Sequence, residues 1–120
     1  MNVVEAITSV LGKYAVFKGR ASRSEFWWWW LVDVIIFNIF FTLSPNLGVV
    51  YFLATVIPTL AVTVRRHHDG NRSGWNVLIG FVPLIGGIIL VVLYSIEGTE
   101  GPNDYGEDPL KHLRDNNDVE

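Results

Sequence analysis

The side chains with the greatest chemical capacity in this 120-residue chain crowd between two apolar runs: Arg65, Arg66, His67, His68, Asp69 and Arg72. Three chemistries are conceivable there. Zinc takes imidazole and carboxylate ligands, but adjacent histidines lack helical ligand spacing, and neither a cysteine nor a further nearby histidine completes four positions, so no metal or other cofactor is expected. Acid–base catalysis would use His68 as a general base oriented by Asp69, as in a membrane enzyme, yet no Ser, Cys or Thr partner is identifiable beside them. The third reading is contact with anionic phospholipid or a protein partner through Arg20, Arg23, Arg65, Arg66 and Arg72 with His68 and Asp69, because guanidinium forks match phosphates and each basic group near anionic lipid contributes about 1 kcal/mol. This non-enzymatic reading is preferred.

Two further carboxylates need an account. Glu25 follows Ser22 in an S-x-x-E capping box, whose serine takes the amide of Glu25 while the Glu25 carboxylate returns to the amide of Ser22; it reads as a helix cap rather than a catalytic acid. Asp33 lies inside an apolar run, where a carboxylate costs about 2.5–3.5 kcal/mol on insertion scales, so it should face protein, water or a cation. A hairpin folded symmetrically about residues 45 and 46 sets Asp33 level with Pro58, and a count into the third run arrives at Pro83. Each proline frees a carbonyl, nominally those of Ala54 and Ile79, and Asn38, Thr55 and Thr59 lie nearby. Asp33, Asn38, Pro58 and Pro83 therefore form a candidate intramembrane polar site for a proton, a cation or a small polar ligand, as in a small oligomeric transporter or channel subunit. The structural alternative is that Asp33 is protonated, or bridged to Arg65 or Arg66, and holds helices together.

The elements that must position these residues are apolar. Half of the chain is hydrophobic, its mean hydropathy is +0.32 and only 18% is charged. Within residues 26–44, 47–64 and 75–96, Asp33 is the single charged side chain. About 20 residues of helix at about 1.5 Å each cross a hydrocarbon core of about 30 Å, and a chain this small has no protein with which to cover three such helices. The expectation is an all-α membrane protein with three spans and no signal peptide. A disordered chain, a soluble nucleic-acid binder and a disulfide-stapled secreted domain are excluded, the last by the absence of cysteine.

Ser44, Pro45 and Asn46 leave the first two spans room only for a tight antiparallel hairpin. Residues 3–17 repeat Val3, Ile7, Val10, Leu11 and Tyr14 at helical spacing, predicting a short amphipathic helix in the interface. Seven basic residues (Lys13, Lys18, Arg20, Arg23, Arg65, Arg66 and Arg72) against Lys111 and Arg114 predict a cytoplasmic N-terminus and, with three spans, an external C-terminus. The five tryptophans agree with this orientation, and Tyr51 and Tyr94 are expected near the outer ends. Residues 1–109 read as a single membrane domain and 110–120 as a polar tail; from Glu97 onward, eight acidic and two basic residues among glycines and prolines predict an irregular, solvated segment. A homo-oligomer or a membrane-protein partner is conceivable.

Four ordered motifs carry a resemblance: Phe17-Lys18-Gly19-Arg20-Ala21-Ser22-Arg23-Ser24-Glu25-Phe26-Trp27, then Arg65-Arg66-His67-His68-Asp69-Gly70-Asn71-Arg72-Ser73-Gly74-Trp75, then Pro83-Leu84-Ile85-Gly86, then Gly98 to Pro109. From about Tyr14 to Pro109 the chain resembles the DUF805 (domain of unknown function) family of small bacterial inner-membrane proteins. His67 departs from the aliphatic residue usual there. The resemblance implies the bacterial inner membrane, adds no activity, and suggests that the Gly-Arg-x-Ser-Arg and Arg-x-x-His-Asp loops work together on one face.

Overall fold

The computed structural model describes residues 2–111, and within them the regular structure is helical. Helix α1 covers Val3–Gly12, α2 Arg23–Leu43 and α3 Pro45–Asp69; a 3-10 helix covers Gly74–Phe81, and α4 covers Ile85–Ser95. Two of these, α2 and α3, are long and apolar enough to cross a membrane.

Local chemistry explains the boundaries. The Asn2 side chain accepts the amide of Glu5 at 2.8 Å, and the Glu5 carboxylate takes the amide of Asn2 at 3.1 Å, so α1 opens with both halves of a capping box. Ser22 caps α2 by accepting the Glu25 amide at 3.4 Å. The expected return bond from the Glu25 carboxylate is replaced, because that carboxylate is drawn to Arg65. Pro45 begins α3 at a position where a helix has no amide to lose.

The α2–α3 hairpin closes more tightly than the expected three-residue connection, because Pro45 and Asn46 already belong to α3 and Ser44 alone separates the helices. A β-carbon on Gly48 would come within 2.9 Å of the Phe41 side chain, so this glycine sets how closely the helices approach. Further along, the rings of Phe40 and Tyr51 lie 5.4 Å apart and the Trp29 indole donates to Thr59 at 3.0 Å. Pro58 sits inside α3 and frees the Ala54 carbonyl, which accepts the Tyr14 hydroxyl from the turn after α1. A helix-breaking residue at depth is thereby satisfied by another segment of the chain.

The predicted helix over 3–17 ends earlier, at Gly12, and it packs rather than floats. Ala6 and Val10 are fully buried, and Val10 joins Ala21, Phe26, Trp29, Val62 and Tyr94 in the main apolar cluster.

The apolar run 75–96 is not one spanning helix. It divides at Pro83 and Leu84 into two packed pieces, and Leu84 takes the positive φ of +63° that reverses the chain. Gly86 follows, where a β-carbon would collide with the Ile79 carbonyl, so the return begins with the two backbones in contact. Eight residues of 3-10 helix rise about 16 Å and eleven of α-helix about 16 Å, each roughly half of a hydrocarbon core.

Both ends of this helical hairpin lie at the polar end of α3. Arg72 donates to the Leu93 carbonyl at 3.3 Å, Arg66 to Tyr94 at 3.0 Å, and the Trp27 indole to the same Tyr94 carbonyl at 3.3 Å. Tyr94 is therefore beside the tryptophans, not at the opposite end where the sequence had it. The expectation of a third full span is not met, because of this reversal. Residues 97–110 instead fold over the end of the α2–α3 hairpin. Of the polar tail expected over 110–120, Leu110 is buried and residues 112–120 lie outside the described residues.

Candidate functional site

Charge and apolarity are distributed inversely to a soluble domain. Leu43, Val50, Leu53, Phe81 and Leu84 are exposed, whereas Arg65 is 0%, Arg66 1% and His67 0% exposed. Charged groups are almost never buried without partners, and the partners here come from four segments of the chain.

Asp69 is the hub. Its carboxylate takes Arg20 Nε at 3.0 Å on one oxygen and Arg66 Nη1 at 2.5 Å on the other, and its carbonyl accepts the amide of Thr99 at 2.7 Å. Gly98 must be glycine-sized here, because a β-carbon would strike the Asp69 carboxylate. Arg20 also donates to the carbonyls of Gly101 at 2.6 Å and Gly106 at 3.4 Å and to that of Thr99. Arg66 reaches the carbonyls of Ala21 at 3.2 Å, Tyr94 at 3.0 Å and Ile96. Two guanidiniums thus collect main-chain carbonyls from the segment before α2, the end of α4 and the tail, which is the work of a planar, multi-donor cation.

A second pair lies beside it. Arg65 Nη1 donates to Glu25 at 2.8 Å, the same carboxylate oxygen accepts Ser9 Oγ at 3.0 Å, and the Ala21 amide donates to the Arg65 carbonyl at 2.9 Å. Arg65 Nε and Nη2 are buried with no hydrogen-bond partner among the described residues. His67 Nε2 meets the Tyr94 hydroxyl at 3.0 Å. Arg72 lies half-buried between loop and α4, and burial pulls its guanidinium below the ordinary value.

His68 and Asp69 do not form a dyad. The Asp69 carboxylate is committed to two arginines, while the His68 ring bonds the Gly19 carbonyl through Nδ1 at 2.9 Å and stacks on Tyr105 with centroids 4.0 Å apart. Asn103 Nδ2 donates to the His68 carbonyl at 2.9 Å, and the Asp104 amide to Asn71 at 3.1 Å. Among the described residues no group of three His, Cys, Asp or Glu side chains is placed to hold a metal ion.

Of the arginines expected to face lipid phosphates, Arg20, Arg65 and Arg66 are turned inward; Arg23 remains half-buried at the start of α2. The expected bridge from Asp33 to Arg65 or Arg66 is likewise absent, since those arginines hold Glu25 and Asp69. Asp33 instead accepts the Tyr51 hydroxyl at 2.8 Å beside a cavity of about 280 Å³ lined by Asp33, Val34, Phe37, Asn38, Tyr51, Phe52 and Thr55. Asn38 and Thr55 are gathered there and Pro58 and Pro83 are not, because α3 is reached through the long Tyr51 side chain rather than at the level of the proline. Tyr51→Phe should lower stability by about 0.6 kcal/mol, the average for one hydrogen bond between helices in a membrane, and by no more than about 1.7 kcal/mol. Unfolding in bicelles measures it; an unchanged curve would show that the bond contributes nothing.

Sequence reasoning missed Ser9, Tyr94, Thr99, Gly101, Asn103 and Tyr105. The four from the tail lie in the Gly98 to Pro109 motif that carried the resemblance, which marked the segment without saying what it touches.

Comparison with known proteins places the chain. The model of the family described as "Protein of unknown function (DUF805)" matches residues 14–107. The inner membrane protein YhaI of Escherichia coli K12 is 44% identical over 108 residues, covering 84% of this chain and 92% of that protein. Inner membrane protein YhaH of the same organism is 36% identical over 111 residues, with 83% and 92% covered. The uncharacterised protein YiiR is 33% identical over 133 residues, with 83% and 91% covered. No solved structure matches. By the extent of the family match and by these relatives, two of which are inner membrane proteins, the chain belongs to the DUF805 family.

Proposed function

We propose that this chain is a non-enzymatic, multi-pass component of the bacterial inner membrane. Helices α2 and α3 cross fully, the hairpin formed by the 3-10 helix and α4 enters to half depth and returns, and both termini are cytoplasmic. The observation that carries this is the inverted burial: guanidiniums and carboxylates inside one end, leucines, valines and phenylalanines exposed over the rest. With the tail on the arginine side, all eight lysines and arginines of residues 2–111 gather at one end and none stands at the other, a stronger asymmetry than three spans allowed.

The folded polar cap is the contact face for an anionic lipid surface or a membrane-protein partner. Since Arg20, Arg65 and Arg66 are occupied internally, phosphate contact passes to the exposed Lys13 and Lys18 and to Arg23 at the rim. These are the groups a headgroup reaches first.

Reporter fusions test the topology. A cytoplasm-active fluorescent protein fused after Glu120 should fluoresce, and a periplasm-active phosphatase inserted at Asn46 should be active. A phosphatase active after Glu120 would overturn the half-depth hairpin.

A further inference from the structure

A cavity of about 390 Å³ opens where the apolar part of α3 gives way to the polar cap, lined by Phe17, Leu60, Val64, His68, Ser73, Gly74, Trp75 and Val77. Pockets for small ligands begin at about this size and combine apolar walls with a few polar groups. The walls here are aliphatic on the α3 side and aromatic at Phe17 and Trp75, the latter 79% exposed at the rim. No arginine or lysine lines it, so it is not shaped for a phosphate.

His68 supplies the chemistry. Its Nδ1 lies 2.9 Å from the Gly19 carbonyl, an oxygen that only accepts, so Nδ1 carries a hydrogen, and in the uncharged form of the ring Nε2 is then the acceptor. Stacking on Tyr105 at 4.0 Å and 4° fixes the plane of the ring. The matching head is neutral, flat and hydrogen-donating, and it must be joined to an apolar chain that leaves along Leu60 and Val64 into the lipid.

We propose that this cavity binds the head of a membrane quinol, a dihydroxylated ring on an isoprenoid chain, with one hydroxyl donated to His68. Phe17 and Trp75 face the flat ring, and Gly74, where a β-carbon would approach Val64 to 2.6 Å, keeps the 3-10 helix close enough to α3 to form the floor. The proposal rests on the topology above only in that the quinol enters from the cytoplasmic leaflet. The reporter fusions read that topology without any quinol, so either can fail alone.

The test uses the full chain in phospholipid nanodiscs, titrated with decyl-ubiquinol kept reduced and, separately, with decyl-ubiquinone, following tryptophan quenching. Saturable binding is expected, with the quinol tighter by up to about tenfold, the worth of one neutral hydrogen bond. His68→Leu should remove that preference while retaining binding of the oxidised form, and Val64→Trp, which fills the cavity, should abolish saturable binding of both. Size-exclusion elution and resistance of the tail to protease check that each variant is folded. Equal binding of the two forms by the unaltered protein would overturn the role of His68; absence of saturable binding, or its persistence in folded Val64→Trp, would overturn the site.

Discussion

Asp69→Asn should lower stability by about 3–5 kcal/mol, because it removes the carboxylate that two buried guanidiniums share. Arg20 and Arg66 are 5% and 1% exposed, and the substitution leaves both charges buried while turning an amide NH₂ or a single weaker acceptor toward them. Neither cation escapes by losing its proton. The loss should also be visible locally. Thr99, Gly101 and Gly106 are tied to Asp69 or Arg20, so the segment from 97 onward should become cleavable by protease at enzyme concentrations that leave the parent intact. Unfolding in mild detergent measures the first effect and limited proteolysis the second. A change below about 1 kcal/mol with the tail still protected would mean that water or lipid phosphate, not Asp69, neutralises these arginines.

Glu25→Gln should cost a comparable amount, about 3–5 kcal/mol, for the same reason applied to Arg65. The instructive experiment is the double variant. Arg65 is fully buried, holds Glu25 at 2.8 Å, and leaves Nε and Nη2 with no hydrogen-bond partner among the described residues, so much of the gain from the pair is offset by desolvation within the native state. Replacing both members by apolar residues of similar volume, Glu25→Leu with Arg65→Met, should therefore recover most of what either single change loses. Ser9 loses its acceptor where leucine replaces Glu25, which sets a small residual penalty for the double variant. A double-mutant cycle in the same detergent checks this. Losses that simply add would show that Glu25 and Arg65 are not coupled.

Much of the hairpin was legible because its determinants are local. The runs 26–44 and 47–64 and the Ser22 cap each depend on neighbours within a few residues and have their counterparts in α2 and α3, while the expected Ser44–Asn46 connection shrinks to Ser44 because Pro45 starts α3. The freed carbonyl of Ala54 was legible too, since proline chemistry fixes it; that Tyr14 would come to it was not. Residues 75–96 misled because hydropathy measures length and not direction. The run is long enough to span, and only Pro83, Leu84 and Gly86 mark the reversal. The tail misled for another reason. Its charge pattern reads as solvated acid, but what holds it is mostly its carbonyl oxygens, which every sequence possesses and no composition reveals. The arginines were located correctly and assigned outward, since a guanidinium fork suits a phosphate and a row of peptide carbonyls equally well.

The span of the Arg20 contacts has a consequence for the order in which the protein is made. Gly101 and Gly106 follow Arg20 by 81 and 86 residues. Helices α2 and α3 are complete while these partners are still unsynthesised, so Arg20 spends most of translation with incomplete partners. The cap shuts only when the segment after α4 has emerged and folded back. An interrupted chain and a finished one thus differ at this end of the molecule, the first cationic and open, the second sealed by its own backbone.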